Sequence, residues 1–398
     1  MAQALRNAKV SNPQSETIDY WLVPRQNKPV ERPGFRPIGT PAEELDTPAL
    51  VLDLAAAEHN IRTVHSFFKD RTAKVRPHIK THNCPAIGWL QMASGGTVGG
   101  ICTAKVGQAE VFAQNGFNDI LIANEIVTRN KIDRLCALAR RCSVTVAVDN
   151  PDNVNDLSQA STANSVTLGI LVDVNSRQNR CGVEPGEPAL DLARMVASSP
   201  GLHFAGLMSY EGCILHDEYQ DLVDETRSVI QLVLDTREMI EKAGFPVETV
   251  SVGGTHNYEI AGDMAGVTEV QAGSYVLMDN SYLPYRPQLK PALRVLGTII
   301  SRQEAEVAVA DVGQKAIGAD QSLPTLEGIP GAEVKRLSAE HSIIALKNEA
   351  QDKLDLGSKV WMTPYDAEVC INLYNYVNVV RNGKLEAIWE VSARGRYD

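Results

Sequence analysis

The chain has 398 residues, 44% of them hydrophobic, and a formal net charge of −11. That length and apolar content exclude a disordered chain and leave room for one barrel of about 250 residues plus a smaller domain. The acidic balance provides no basic footprint for nucleic acid or an anionic membrane, so small-molecule chemistry is the expected class of function.

Residues 1–46 are polar and contain Pro24, Pro29, Pro33, Pro37 and Pro41. Prolines at that density oppose a helix, so the segment is expected to be an arm lying on the body or on a partner subunit. It shows no apolar core of a signal peptide, and no stretch of about 18 apolar residues occurs. The expected location is therefore the cytoplasm. The cysteines (84, 102, 136, 142, 181, 213 and 370) have no Cys-x-x-Cys spacing. Their odd number argues against a disulfide framework and fits a reducing compartment.

From Thr47 onward, short β-branched runs alternate with longer segments of helical periodicity, as parallel βα units require. Strands are predicted at Ala73–Lys80, Thr97–Cys102, Asp119–Asn124, Ser143–Val148, Val166–Val174, His203–Ser209, Thr249–Gly253 and Glu269–Gly273. Helices are predicted at Leu54–Lys69, Lys105–Asn115, Thr128–Ala139, Val154–Ala163, Glu187–Ser198, Tyr219–Ala243 and Tyr258–Ala265. Eight such strands close as a (β/α)8 TIM barrel. The rival doubly wound sheet lacks its Gly-x-Gly-x-x-Gly turn. After about Ser281 the pattern becomes alternating strands and Gly/Pro turns: Pro291–Ser301, Ala305–Val312, Glu333–Arg336, His341–Leu346, Lys359–Thr363, Asn375–Arg381 and Lys384–Val391. The expected partition is an arm at 1–46, a barrel at 47–285 and a C-terminal β domain at 286–398, linked through Ser281–Lys290.

Barrel active sites lie at the C-terminal strand ends, with phosphate held after strands seven and eight. The first predicted strand ends on Lys80, between His78 and His82 and four residues after Arg76. Strand seven runs into Gly253-Gly254-Thr255-His256, and strand eight into Gly273-Ser274-Tyr275. Glycines admit a phosphate close to backbone N–H groups, and Thr255 and Ser274 add hydroxyl donors. Singly these features are common, since a lysine at a strand end is usually a solvated charge and a Gly-Gly-Thr turn usually only a turn. His78 and His82 flank Lys80 at spacing two, which on an extended segment places all three on one face.

Together with Asp46-Thr47-Pro48, Arg180-Cys181-Gly182-Val183, Gln271–Asp279, Asp311–Pro324 and Glu340-His341, these segments resemble the D-threonine aldolase, 3-hydroxy-D-aspartate aldolase and D-serine dehydratase-like family. Its members are fold type III enzymes of pyridoxal 5′-phosphate (PLP), with an alanine-racemase-like barrel. The resemblance implies that Lys80 carries PLP as a Schiff base and that Gly254, Thr255, Gly273, Ser274 and Tyr275 hold its phosphate. It further implies that His78, Arg180 and Tyr210 line the cofactor ring and that His82 handles the proton of the substrate's β-hydroxyl. A homodimer with a shared active site is implied, with Asp320 and His341 in the part that closes over the neighbouring site.

Two segments depart from the family pattern: Asp173–Arg180, which bears on the ring contact of Arg180, is slightly longer, and a C-terminal segment differs in its ligand residues. Where the family has His-x-Asp or His-x-Cys holding a divalent metal, this chain has Asp366-Ala367-Glu368. Two carboxylates at i, i+2 on an extended segment suit Mg²⁺ or Mn²⁺ better than Zn²⁺. The alternative is that they form a solvated loop without metal; Cys370 lies on the same face. The expected activity is PLP-dependent cleavage of a D-3-hydroxy-amino acid into glycine and an aldehyde. The alternatives are a dehydratase releasing ammonia, a metal-independent racemase, and a non-catalytic PLP carrier, against which the β domain weighs.

Overall fold

Aliphatic runs too short for a helix become strands. In the computed structural model, which describes residues 35–216 and 218–398, they build two sheets. The expected arm lies outside the described residues as far as position 34. The strands in chain order are β1 (Ala49–Asp53), β2 (Lys74–Val75), β3 (Ile101–Thr103), β4 (Asp119–Glu125), β5 (Ser143–Val148), β6 (Leu168–Asp173), β7 (Leu202–Met208), β8 (Thr249–Val252) and β9 (Glu269–Val270). Strands β2 to β9 are parallel, in the order β2-β9-β8-β7-β6-β5-β4-β3. The bridges Val75↔Thr97 and His78↔Cys102 join the two ends of that order. The sheet is thus a closed eight-stranded barrel, its strands buried on both faces as parallel strands between helices are.

Two features hold this barrel together at narrow points. Strand β2 contributes only two residues, and Arg76 just beyond it reinforces the seam. Its Nε lies 2.8 Å from Glu269 Oε1 and its Nη1 3.1 Å from Asp119 Oδ1, which ties β2 to β9 and β4. Gly206 in β7 has φ +145°, and a Cβ there would meet the Thr249 carbonyl oxygen at 2.0 Å, so β7 and β8 approach as closely as they do only because it is glycine.

The second sheet contains β10 (Leu293–Glu304), β11 (Val307–Ala310), β12 (Thr325–Leu326), β13 (Ala332–Leu337), β14 (Ser342–Leu346), β15 (Lys359–Thr363), β16 (Tyr376–Arg381) and β17 (Lys384–Glu390). Its order is β13-β14-β11-β10-β1-β16-β17, with β15 on β10 and β12 on β15. Strand β1, absent from the sequence-predicted set, lies in the middle, antiparallel to β10 and parallel to β16. It then runs straight into the helix Leu54–Phe68, whose first turn is capped by Asp53 accepting from Ala56 N–H at 3.0 Å. The other Asp53 oxygen pairs with Arg294 at 2.8 Å. A helix at Pro85–Ala93 is likewise additional to the predicted ones.

Residues Ile38–Asp398 form one compact unit. A single buried cluster contains Leu50 and Leu52 of β1, Val295 and Ile299 of β10, Ile344 of β14 and Cys370, together with barrel residues such as Ile122, Val146, Val172 and Val252. All cysteines are free. Among the described residues no helix is long and apolar enough to cross a membrane.

Candidate active site

Backbone pairing continues through His78, whose N–H donates to the Ala272 carbonyl, and the chain then makes a single 3-10 turn, Ile79–Thr81. That turn sets Lys80 into a cavity of about 400 Å³ at the C-terminal ends of the barrel strands. Of the residues expected at the site, His78, Lys80, Arg180, Tyr210, Gly254, Thr255, Gly273, Ser274 and Glu368 line it. Thr81, Asn124, Cys181, Gln271 and Tyr282 complete much of the wall. Thr81, Cys181 and Gln271 sit beside or within segments that carried the family resemblance. No local signal separated them from their neighbours.

The turn also overturns the role expected of His82. The i, i+2 rule holds for an extended strand, whereas one 3-10 turn carries His82 away from the face of Lys80. His82 is fully buried, its Nδ1 accepting from Cys84 N–H and its Nε2 3.0 Å from Gln91 Oε1. Burial lowers its pKa to about 4. Tyr275 is displaced in the same way, since its hydroxyl packs behind the cavity against His65 and Gln91. These groups form one directed chain. His82 Nε2–H donates to Gln91 Oε1, Gln91 Nε2 to the Tyr275 hydroxyl, that hydroxyl to His65 Nε2, and His65 Nδ1–H to the Gly95 carbonyl. Every member is satisfied, and none faces a substrate.

The end of the cavity where a phosphate was expected is made by the turns after β8 and β9. Thr255 Oγ1 accepts from Tyr275 N–H at 3.1 Å, which locks the two turns together. A Cβ on Gly273 would meet the His78 carbonyl oxygen at 2.4 Å and Thr81 Oγ1 at 2.7 Å, so the position admits no larger residue. His78 Nδ1 is buried without a hydrogen-bond partner, and burial followed by the Lys80 charge lowers the ring's pKa to about 3. An amine, two hydroxyls, close glycine backbone and an orphaned ring nitrogen around one cavity fit an aldehyde cofactor with a phosphate group. Arg180 and Tyr210 stand together on the ring side, the guanidinium carbon 5.5 Å from the Tyr210 ring centre.

Glu368 reaches the cavity from the second sheet, on the short helix Ala367–Asn372 that follows β15. Its Oε2 lies 2.6 Å from Lys80 Nζ, and its Oε1 accepts from Thr81 Oγ1 and Ser274 Oγ at 3.0 Å each. Burial opposes both charges, but each group stabilises the other, so the Lys80 pKa is raised and that of Glu368 lowered. Buried Asp279 fastens this helix by accepting from Ala367 N–H at 2.9 Å.

The expected metal pair is not assembled. Residues 366–368 start a helix, so the two carboxylates do not project from an extended strand to one side. Asp366 is the N-cap, accepting from Glu368 N–H and Val369 N–H, and it lines a separate small cavity with Asp320 and Tyr365. Glu368 is occupied by Lys80, Thr81 and Ser274. The donors do not fit a shared divalent cation. Cys370 is fully buried, and burial drives its thiol pKa up. Among the described residues, the one group of three or more possible ligands whose atoms lie within 4.8 Å of one another is Glu125, Asp149 and Cys181. It adjoins Asp173, whose pKa burial and then Glu125 raise to about 8.

Residues 52–281 match the family model described as "Alanine racemase, N-terminal domain", and residues 292–380 the one described as "Putative serine dehydratase domain". The chain is similar to a D-threonine aldolase of an Arthrobacter species, 34% identical over 362 residues, which span 90% of this chain and 95% of that protein. It is similar to a 3-hydroxy-D-aspartate aldolase of Paracoccus denitrificans (strain Pd 1222), 34% identical over 369 residues, which span 90% and 94%. Among solved structures, a D-threonine aldolase from Filomicrobium marinum superposes with a TM-score of 0.87 at 36% identity, covering 90% of this chain and 99% of that one.

Proposed function

The chain belongs to the family of the D-threonine and 3-hydroxy-D-aspartate aldolases, and on that premise we propose that it is a PLP-dependent lyase cleaving a D-3-hydroxy-amino acid into glycine and an aldehyde. The observation that carries this reading is Lys80, set in a cavity that Thr255, Gly273 and Ser274 also line. In this reading Lys80 links to the cofactor, the cradle of these three with Gly254 holds the phosphate through backbone N–H groups and the Thr255 hydroxyl while the Ser274 hydroxyl stays on Glu368, and His78, Arg180 and Tyr210 surround the ring. When bound, PLP supplies an electron sink for the bond at Cα that stands perpendicular to its ring. The protein chooses the bond. Glu368 and the neighbouring hydroxyls lie beside the reacting lysine, where a β-hydroxyl enters, and Lys80 holds the proton that Cα receives afterwards.

Incubation with D-threonine tests the reading. Equimolar glycine and acetaldehyde are expected, and both disappear in Lys80→Ala. The match of residues 292–380 to a dehydratase domain supports a second reading, β-elimination, whose products are a keto acid and ammonia. Release of those products in place of aldehyde decides for it, and formation of the mirror-image amino acid alone decides for a racemase. By the family reading the chain works as a homodimer, in which the exposed Asp320 and His341 close over the neighbouring site.

A further inference from the structure

We propose that Glu368 is the base of the cleavage, its carboxylate taking the proton of the substrate's β-hydroxyl directly, so that the reaction needs no divalent cation. The inference rests on the aldolase reading and names the residue that starts the bond cleavage.

The case is made by elimination among the groups that share the cavity. Its ionisable lining consists of His78, Lys80, Arg180, Cys181, Tyr210, Tyr282 and Glu368. Arg180 is a cation and no base. Burial raises the Cys181 thiol to about 11 and lifts both tyrosine phenols, so these groups keep their protons near neutrality. His78 is set against the cofactor ring in the proposed reading, with its Nδ1 buried. Lys80 is the cofactor's anchor. His82, expected to do this work, is sealed behind the cavity. Glu368 is the remaining group, and its orientation is fixed: the Thr81 and Ser274 hydroxyls hold one oxygen, while the other faces the reacting nitrogen.

The proton balance closes on the same contact. The β-hydroxyl O–H bond breaks and its proton passes to Glu368. The oxygen's electrons form the aldehyde C=O, the Cα–Cβ bond breaks, and its electron pair is left at Cα. Lys80 gives a proton to Cα, which yields glycine. Glu368 then returns its proton to the lysine nitrogen, with which it makes a 2.6 Å contact. No oxidant, metal or further acid is required.

The test uses the PLP-loaded protein and its Glu368→Gln and Glu368→Asp variants. Glu368→Gln should keep the visible absorbance of the lysine-linked cofactor and lose aldol cleavage by roughly 10²–10⁴-fold, the usual worth of a positioned general base. Glycine Cα–H exchange in D₂O, followed by NMR, should fall far less than cleavage, because that reaction has no β-hydroxyl and loses only the Lys80–Glu368 contact. Glu368→Asp should recover part of the lost cleavage, which also covers the case in which the glutamine variant folds poorly. Wild-type protein dialysed against a chelator should keep its aldehyde release. If exchange falls together with cleavage, Glu368 only positions Lys80 and the proposal is wrong. It is equally wrong if chelation silences the wild type and Mn²⁺ restores it. A wild type that releases keto acid from D-3-hydroxy-amino acids overturns the aldolase reading itself, whatever the variants do.

Discussion

At the scale of single residues, the local environment of a side chain decides its chemistry more than its distance in sequence from the reacting group. His82 lies two positions from Lys80, yet it is a buried neutral imidazole bound to Gln91. Glu368, 288 positions away, touches the reacting amine. A one-residue difference in turn geometry accounts for the first, and a tertiary contact that leaves no trace in either local sequence accounts for the second. The directed chain from His82 through Gln91 and Tyr275 to His65 makes a separable claim. Gln91→Leu removes the acceptor of His82 Nε2–H and the donor to the Tyr275 hydroxyl. Leaving such buried groups unpaired costs about 1–3 kcal/mol each. A loss of about 3 kcal/mol in denaturant unfolding is expected, with the pH dependence of turnover unchanged. If His82 were the acid or base of the reaction, that pH dependence would move with its altered hydrogen bond.

At the scale of elements, helices and central strands were legible where periodicity and burial agree. Ser143–Val148 and Glu187–Ser198 fall on the predicted residues because a short run rich in valine and threonine, and an amphipathic segment opened by Glu-Pro, each have one stable solution. The seam was harder to read. The predicted strand Ala73–Lys80 shrinks to Lys74–Val75, with isolated backbone pairing reaching His78 before the rest of the segment turns into the site. Strand β1 was missed because Ala49–Asp53 pairs with segments more than 200 residues away, and such partners leave no local pattern. The short seam strand has a consequence. Arg76, with its side chain 11% exposed, bridges Glu269, 4% exposed, across the closure of the barrel. Removing one member of a buried pair strands the other charge, at a typical cost of 3–5 kcal/mol. Arg76→Ala is therefore expected to destabilise by about that much in denaturant unfolding. The double variant Arg76→Met/Glu269→Leu, which removes both charges, should recover most of it. Failure of the double variant to recover would show that the seam depends on packing at these positions and not on charge.

At the scale of the molecule, two sheets that look like two domains in sequence share their interior. Strand β1 is central to the second sheet and continues without a loop into the first helix of the barrel, with Asp53 ending one and capping the other. Barrel residues and those of β1, β10 and β14 belong to one buried cluster, and Glu368 crosses from the second sheet to the barrel's lysine. Domains with separate cores unfold separately, whereas a continuous core makes the loss of one part expose the apolar surface of the other. The two parts should therefore melt together. Trp89 reports on the barrel side, in the helix Pro85–Ala93, while Trp361 in β15 and Trp389 in β17 report on the second sheet. Phenylalanine replacements that leave Trp89 alone, or Trp361 and Trp389 alone, among these three should give coincident fluorescence transitions in urea. Two midpoints, with the second sheet releasing first, would mean that the shared cluster does not couple the halves. Glu368 would then leave Lys80 before the barrel opens. Coincidence instead means that the site, built by residues from both sheets, is lost only with the whole fold.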